Sequence, residues 1–267
     1  MSPKKILITG AAGSLGKSLR EQFAGQYGLI RLSDMAPMAP AGKGEETVQC
    51  DLADAEKVAA MCAGIDAIVH LGGQSVEGPL ERVVHSNIIG LLNLYEGARK
   101  AKVDRVLFAS SNHAVGFWKR SDKIDHTAAC KPDSRYGLSK AFGEDVSRYY
   151  AYKHGIRGFN MRIGSCFARP ENFRMLSTWL SFADLARLVR VGIEADYVYE
   201  IVYGVSKNTR NWWDNANAYR LGYTPDDDSE RFAAEVGHIH FPDGLDEELQ
   251  GGQYVSADFS GRRDWVL

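Results

Sequence analysis

The stretch Ile6-Leu7-Ile8-Thr9-Gly10-Ala11-Ala12-Gly13-Ser14-Leu15-Gly16 decides the fold. A short apolar run turns at a glycine and opens straight into a helical pattern. In that setting Gly-x-x-Gly-x-x-Gly reads as a dinucleotide loop, with a generic glycine turn as the competing reading. Gly10 permits the tight turn, Gly13 lets the backbone approach a pyrophosphate, and Gly16 lets the helix pack closely on the strand. Free amides at the helix start, around Ser14 and Leu15, face the anion.

Working outward, further apolar runs fall at 29–33, 47–49, 67–71, 106–110 and 158–163, with helical patterns beginning near Leu15, Asp54, Pro79 and Ser134. Such alternation predicts an α/β protein, a Rossmann-type doubly wound parallel sheet with helices on both faces. After Gly164 the pattern loosens and includes Asn211-Trp212-Trp213-Asp214-Asn215. Residues beyond about 164 are therefore expected to form a small C-terminal substrate-side cap within a single domain spanning 1–267. On this frame Asp34 ends the second strand, where a carboxylate accepts hydrogen bonds from the adenosine ribose and repels a 2′-phosphate, which favours NAD over NADP. Asp51 and Leu52 suit the adenine, although Asp51 reads equally well as a helix N-cap. Leu71, Gly72 and Gly73 give the backbone room to pass the middle of the cofactor.

Composition narrows the ligand class. Lys and Arg number 32 against 34 Asp and Glu, without long runs of one sign. That leaves no electrostatic footprint for nucleic acid or an anionic membrane, and a small-molecule ligand fits better. The N-terminal apolar run is too short for a signal peptide and no stretch approaches the ~20 apolar residues of a membrane span, so a soluble, cytoplasmic protein is expected. Cys50, Cys62, Cys130 and Cys166 are scattered without metal-ligand spacing. They read as reduced thiols, with no metal site.

The chemistry concentrates in Tyr136-Gly137-Leu138-Ser139-Lys140. If 134–154 is a helix, Tyr136 and Lys140 stand one turn apart on one face, and the ammonium lowers the pKa of a phenol that is ordinarily a poor base, at about 10. Tyr-x-x-x-Lys arises often by chance. With Ser111 after the fifth strand and the glycine loop, however, it reads as a nicotinamide-dependent redox site.

These motifs together resemble the short-chain dehydrogenase/reductase superfamily, in the extended branch that also holds nucleotide-sugar epimerases. Within that branch, the segments Asn87-Ile88-Ile89-Gly90-Leu91, Phe108-Ala109-Ser110-Ser111-Asn112-His113, Arg162-Ile163-Gly164-Ser165-Cys166, Asn172-Phe173-Arg174-Met175-Leu176-Ser177-Thr178-Trp179 and Trp212-Trp213-Asp214-Asn215 resemble the bacterial uronate dehydrogenase family. The resemblance covers essentially the whole chain. It implies oxidation of cyclic D-galacturonate or D-glucuronate at C1 to the aldaro-lactone, with NAD as acceptor. Tyr136 would take the anomeric proton, Lys140 would tune the phenol and hold the ribose, and Ser111 would orient the reacting oxygen. Asn87 would order water in a proton relay, or serve instead as a helix-packing amide.

A uronate carboxylate calls for a planar cation, and Arg174 is the candidate. Without the family resemblance, an arginine in such a loop reads as a solvated surface charge. Ser75, Asn112 and His113 would bind sugar hydroxyls, with Ser165 near the tip of the sixth strand; His113 also reads as a structural residue. The rival readings are a sugar epimerase or another sugar dehydrogenase, and a non-catalytic nicotinamide sensor. Ala114-Val115-Gly116 stands where the epimerases have a tyrosine, and only about a hundred residues follow the sixth strand. That leaves little room for a nucleotide-sugar lobe. Long helices near 79–101 and 134–154 resemble those through which the superfamily pairs, which predicts a homo-oligomer.

Overall fold

In the computed structural model, which describes residues 4–241 and 244–267, each apolar run of the sequence becomes a strand. These are β1 (Lys5–Thr9), β2 (Leu29–Asp34), β3 (Glu45–Gln49), β4 (Ala67–His70), β5 (Arg105–Ser111) and β6 (Arg157–Ile163). A short parallel pair follows, β7 (Ser165–Cys166) with β8 (Trp179–Leu180), and then β9 (Tyr199–Gly204). The main sheet has the order β3-β2-β1-β4-β5-β6-β9, with every neighbouring pair parallel. Strand β9 lies in the region read as irregular. It opens on the partly exposed Tyr199 and the charged Glu200, so it lacks the continuous apolar signature of a strand covered on both faces, such as β5.

Alternation along β1 shows how the sheet is covered. Ile6 and Ile8 face α1 (Ser14–Phe23) through Leu19 and Phe23, while Leu7 faces α2 (Ala55–Cys62) through Val58 and Met61. On the second face a continuous helical stretch runs through α3 (Leu80–Val83), a π-helical segment at 84–89 and α4 (Gly90–Ala101), followed by α5 (Arg135–His154). Further α-helices among the described residues are α6 (Met175–Thr178), α7 (Phe182–Glu194), α8 (Ala216–Arg220), α9 (Ala233–Val236), α10 (Gly244–Glu248) and α11 (Gln253–Ser256). Helix α7 joins α1 on the first face through Leu185, Leu188 and Ile193. Among the described residues no helix is long and apolar enough to cross a membrane.

Local chemistry sets the helix starts. Asp54, Ser134 and Ser181 each accept from a backbone amide three residues on, at 3.1, 2.9 and 3.0 Å, the standard satisfaction of an otherwise orphaned donor. The cap of α2 is thus Asp54, and Asp51 is left for another role. The carboxyl ends of β1, β2, β4, β5 and β6 bring Thr9, Asp34, His70, Ser111 and Ile163 to one edge, and chain order reverses between β1 and β4, where ligands of such sheets bind.

Candidate active site

The glycine loop is a cradle that side chains would fill. Gly10 has φ +71°, and a Cβ there would come within 2.8 Å of Leu71 C and Gly72 N. A Cβ on Gly16 would lie 2.4 Å from Gly10 O. Gly13 precedes α1 and no side chain caps that helix start, which leaves its N-terminal end, at Ser14 and Leu15, open to an anion. Asp34 is held by two backbone amides, Ala12 N to Oδ2 and Ala36 N to Oδ1, both at 2.9 Å. Arg31 turns away to Glu46 and to the carbonyls of Met61 and Ala63, so it supplies no partner for a 2′-phosphate. Asp51 accepts from Ala53 N at 2.9 Å and pairs with His85 Nε2 at 3.1 Å; first that amide and then the histidine lower its carboxyl pKa. Leu52 packs between the backbones of Gly72 and Gly90, and Gly73 takes φ +116° after Leu71 and Gly72. The set fits a dinucleotide: a side-chain-free loop, an exposed helix start and a fixed carboxylate at the next strand end.

Deeper in the same edge, β5 delivers Ser111 and the first turns of α5 deliver Tyr136 and Lys140, all three buried. The Ser111 hydroxyl faces the Tyr136 phenol closely enough to favour its anion. Lys140 Nζ lies 5.4 Å from the Tyr136 ring centre and 5.0 Å from that of Phe108, with no carboxylate paired to it among the described residues. Burial pushes the phenol up to about 12, opposed by the Ser111 hydroxyl, and burial pushes the lysine down to about 8. In the protein alone, burial is the dominant influence on both groups, raising the phenol and lowering the lysine, so the depression expected from their spacing needs the bound cofactor as well. Beneath them His70 is held neutral, pushed down to about 3 by burial and then by Lys140, with Nδ1 on Thr9 Oγ1 at 2.7 Å.

Two residues that sequence reasoning did not weigh in this way hold the start of α5. Glu77 accepts from Tyr136 N at 2.9 Å. Ser139 Oγ donates to Tyr136 O at 2.7 Å and accepts from Asn87 Nδ2 at 2.9 Å. Asn87 lies in the π-helical segment, whose wider i→i+5 turn re-aims side chains relative to an α-helix. It also donates to Gln74 O at 3.0 Å, while its Oδ1 accepts from Gln74 N at 2.7 Å and Ser86 Oγ at 3.0 Å. Its amide is saturated by protein groups, the geometry of the packing alternative; it ties the loop after β4 to α5.

The third cluster lies beyond β6. Arg174 is buried and donates through Nε and Nη2 to Gln250 O at 2.9 and 2.7 Å, with Nη1 3.5 Å from Ser165 Oγ. Asn112, in the orientation its neighbours dictate, donates to Ile163 O at 3.1 Å and accepts from Arg174 Nη2 at 2.6 Å. Burial, then Arg120, lowers the guanidinium to about 10, and no carboxylate pairs with it among the described residues. His113 Nδ1 meets Asp133 Oδ2 at 2.7 Å, and its ring stacks on Tyr254 at 4.1 Å and stands edge-on to Tyr136 at 5.9 Å. Ser75 lies exposed on the loop after β4. Trp213 stacks on Tyr203 at 4.9 Å and donates to Gln250 Oε1 at 2.9 Å, so the tryptophan pair buttresses the segment that holds Arg174. Sequence reasoning passed over Glu77, Asp133, Gln250 and Tyr254. Only Asp133, just ahead of the Ser134 cap, carried a local signal.

Comparison with known proteins agrees with this geometry. Residues 6–219 match the model of the NAD-dependent epimerase/dehydratase family. The uronate dehydrogenase of Pseudomonas putida is 48% identical over 257 residues, covering 95% of this chain and 96% of that one. The structure of the Agrobacterium tumefaciens uronate dehydrogenase, as a Y136A mutant complexed with NAD, is 45% identical and superposes with a TM-score of 0.90 over 95% of this chain and 97% of that one. The structure of a glucuronic acid dehydrogenase from Chromohalobacter salexigens is 42% identical, with a TM-score of 0.92 over 98% and 99%.

Proposed function

Because the chain belongs to the NAD-dependent epimerase/dehydratase family, we infer that it is an NAD-dependent uronate dehydrogenase, oxidising D-galacturonate or D-glucuronate at C1 to the aldaro-lactone. One observation carries the choice of substrate: Arg174 is a buried guanidinium that pairs with no carboxylate among the described residues, next to Ser165 and Asn112. A buried cation without a counter-ion is costly, and a substrate carboxylate offsets that cost in the bidentate geometry that arginine favours.

Gly10, Gly13, Ser14, Leu15 and Gly16 would hold the pyrophosphate, Asp34 the adenosine ribose, Asp51 and Leu52 the adenine, and Leu71, Gly72 and Gly73 the passage to the reacting end. When bound, NAD supplies the hydride acceptor and a positive ring beside the phenol. Tyr136 removes the anomeric hydroxyl proton, Ser111 orients that oxygen, and Lys140 biases the phenol toward its anion and holds the nicotinamide ribose. Asn87 fixes the helix that carries Tyr136. Arg174 takes the carboxylate, and Ser75, Asn112, His113 and Ser165 take sugar hydroxyls. We also propose a cytoplasmic homo-oligomer, paired through the exposed apolar side chains Leu80, Leu92, Leu138 and Tyr152 on α3 to α5.

The test is NADH absorbance with D-galacturonate or D-glucuronate, with galactose, glucose and a nucleotide sugar in parallel. Signal with the uronates alone is expected. NADH from neutral sugars at equal efficiency, or conversion of a nucleotide sugar without net NADH, overturns the assignment.

A further inference from the structure

Asp133 belongs to neither the cofactor set nor the substrate set, yet its carboxylate is fully buried against the substrate-side histidine. Oδ2 meets His113 Nδ1 at 2.7 Å and Oδ1 accepts from Ser134 Oγ at 2.8 Å. Glycine backbones close around it: a Cβ on Gly116 or Gly251 would sit 1.8 or 2.0 Å from Oδ2, and one on Gly137 would sit 3.1 Å from Oδ1. Two segments, at Gly116 and Gly251, have thus left out side chains where this carboxylate needs room, while Gly137 gives way first to the His113 carbonyl, 2.3 Å from where its Cβ would be. A buried carboxylate with two hydrogen bonds is expensive to keep for packing alone. The partner on its other side is informative. The His113 ring is clamped by the face of Tyr254 at 4.1 Å, points an edge toward Tyr136, and is only partly exposed. Nδ1 is the ring nitrogen taken by Asp133, and the bond made by one ring nitrogen sets the proton state of the other.

We propose that Asp133 is a positioning residue that keeps the His113 proton on Nδ1, so that Nε2 presents a lone pair to a hydroxyl of the sugar being oxidised. The substrate half of this statement rests on the uronate reading; the tautomer half does not. Tyr254 sets the ring plane, and the segment from Gln250 to Tyr254 thereby serves both Arg174 and His113.

The experiment is ¹⁵N NMR of the histidine rings in the full chain saturated with NAD, with His113 assigned by loss of its signals in His113→Gln. Protonated Nδ1 and bare Nε2 are expected, with the pattern reversed in Asp133→Asn, whose amide donates where the carboxylate accepted. In steady-state assays Asp133→Asn should raise the uronate KM about tenfold to a hundredfold, the effect of misdirecting one buried hydrogen bond. NAD affinity should stay within about twofold and thermal stability within a few degrees, which a merely structural clamp would not allow. A wild-type ring protonated at Nε2 alone overturns the proposal, as does a folded Asp133→Asn protein with unchanged KM. If that variant does not fold, the wild-type tautomer decides. A wild-type protein inert toward every uronate would sink the functional reading instead, and the tautomer measurement, made without substrate, still decides what Asp133 does.

Discussion

Replacing Lys140 by methionine should make the protein more stable at neutral pH while abolishing its activity. The side chain is 5% exposed and its ammonium has the rings of Phe108 and Tyr136 as company. Burial brings its pKa from 10.5 to about 8. That lowering, at ~1.4 kcal/mol per pH unit, puts the cost of carrying the charge at about 3–4 kcal/mol, less about 1 kcal/mol returned by the two rings. Methionine has nearly the same length and no charge, so a gain of about 2–3 kcal/mol is expected at pH 7, or roughly 4–10 °C in Tm for a chain of this size. The sign with pH follows from linkage. The folded pKa lies below the unfolded one, so between pH 8 and 10.5 the unfolded chain binds more protons and the wild type gains stability as pH rises. The advantage of Lys140→Met is complete below pH 8 and fades toward pH 10.5. Urea unfolding of both proteins without cofactor at pH 7, 9 and 10.5 measures it. A methionine variant less stable than the wild type at pH 7, or a gap indifferent to pH, would refute the reasoning that Lys140 is retained against its own burial cost.

Tyr136→Phe keeps the ring and its packing but removes the base, so turnover should fall more than about a hundredfold with NAD binding preserved in a fluorescence titration; unchanged turnover removes Tyr136 from the reaction. Arg174→Ala should raise the uronate KM by about a hundredfold or more, the loss of a charge-assisted bidentate contact, with NAD affinity little altered. Equal losses toward a neutral sugar would contradict a carboxylate contact. Gly10→Ala combines φ +71° with a 2.8 Å approach to Leu71 and Gly72. It should cost about 1–3 kcal/mol of stability and weaken NAD binding measured by calorimetry, whereas an unperturbed variant would show that β1 and β4 are not in close contact there.

What the sequence determined alone was whatever depends on neighbours in the chain. The β1–loop–α1 unit was legible because strand, turn and helix follow one another within residues 5–23. The Ser134 cap and the one-turn spacing of Tyr136 and Lys140 were legible because helix geometry makes them local facts. Asp34 could be placed because it ends a strand whose length the apolar run announces. Tertiary structure alone decided the rest. Arg174 is buried rather than solvated because Gln250, 76 positions away, turns a backbone carbonyl onto it. Asn87 is saturated because Gln74 and Ser139 meet it from two other elements. Glu77 and Asp133 reach Tyr136 or His113 from separate loops, and Tyr254 does so from α11. No periodicity records such pairings, since a hydrogen bond between distant segments leaves each residue type unremarkable in its own surroundings. The proton affinities of Tyr136 and Lys140 lie in the same category. Spacing reveals that they attract each other, but how far each is removed from water depends on everything packed around them, and here that desolvation is the larger effect.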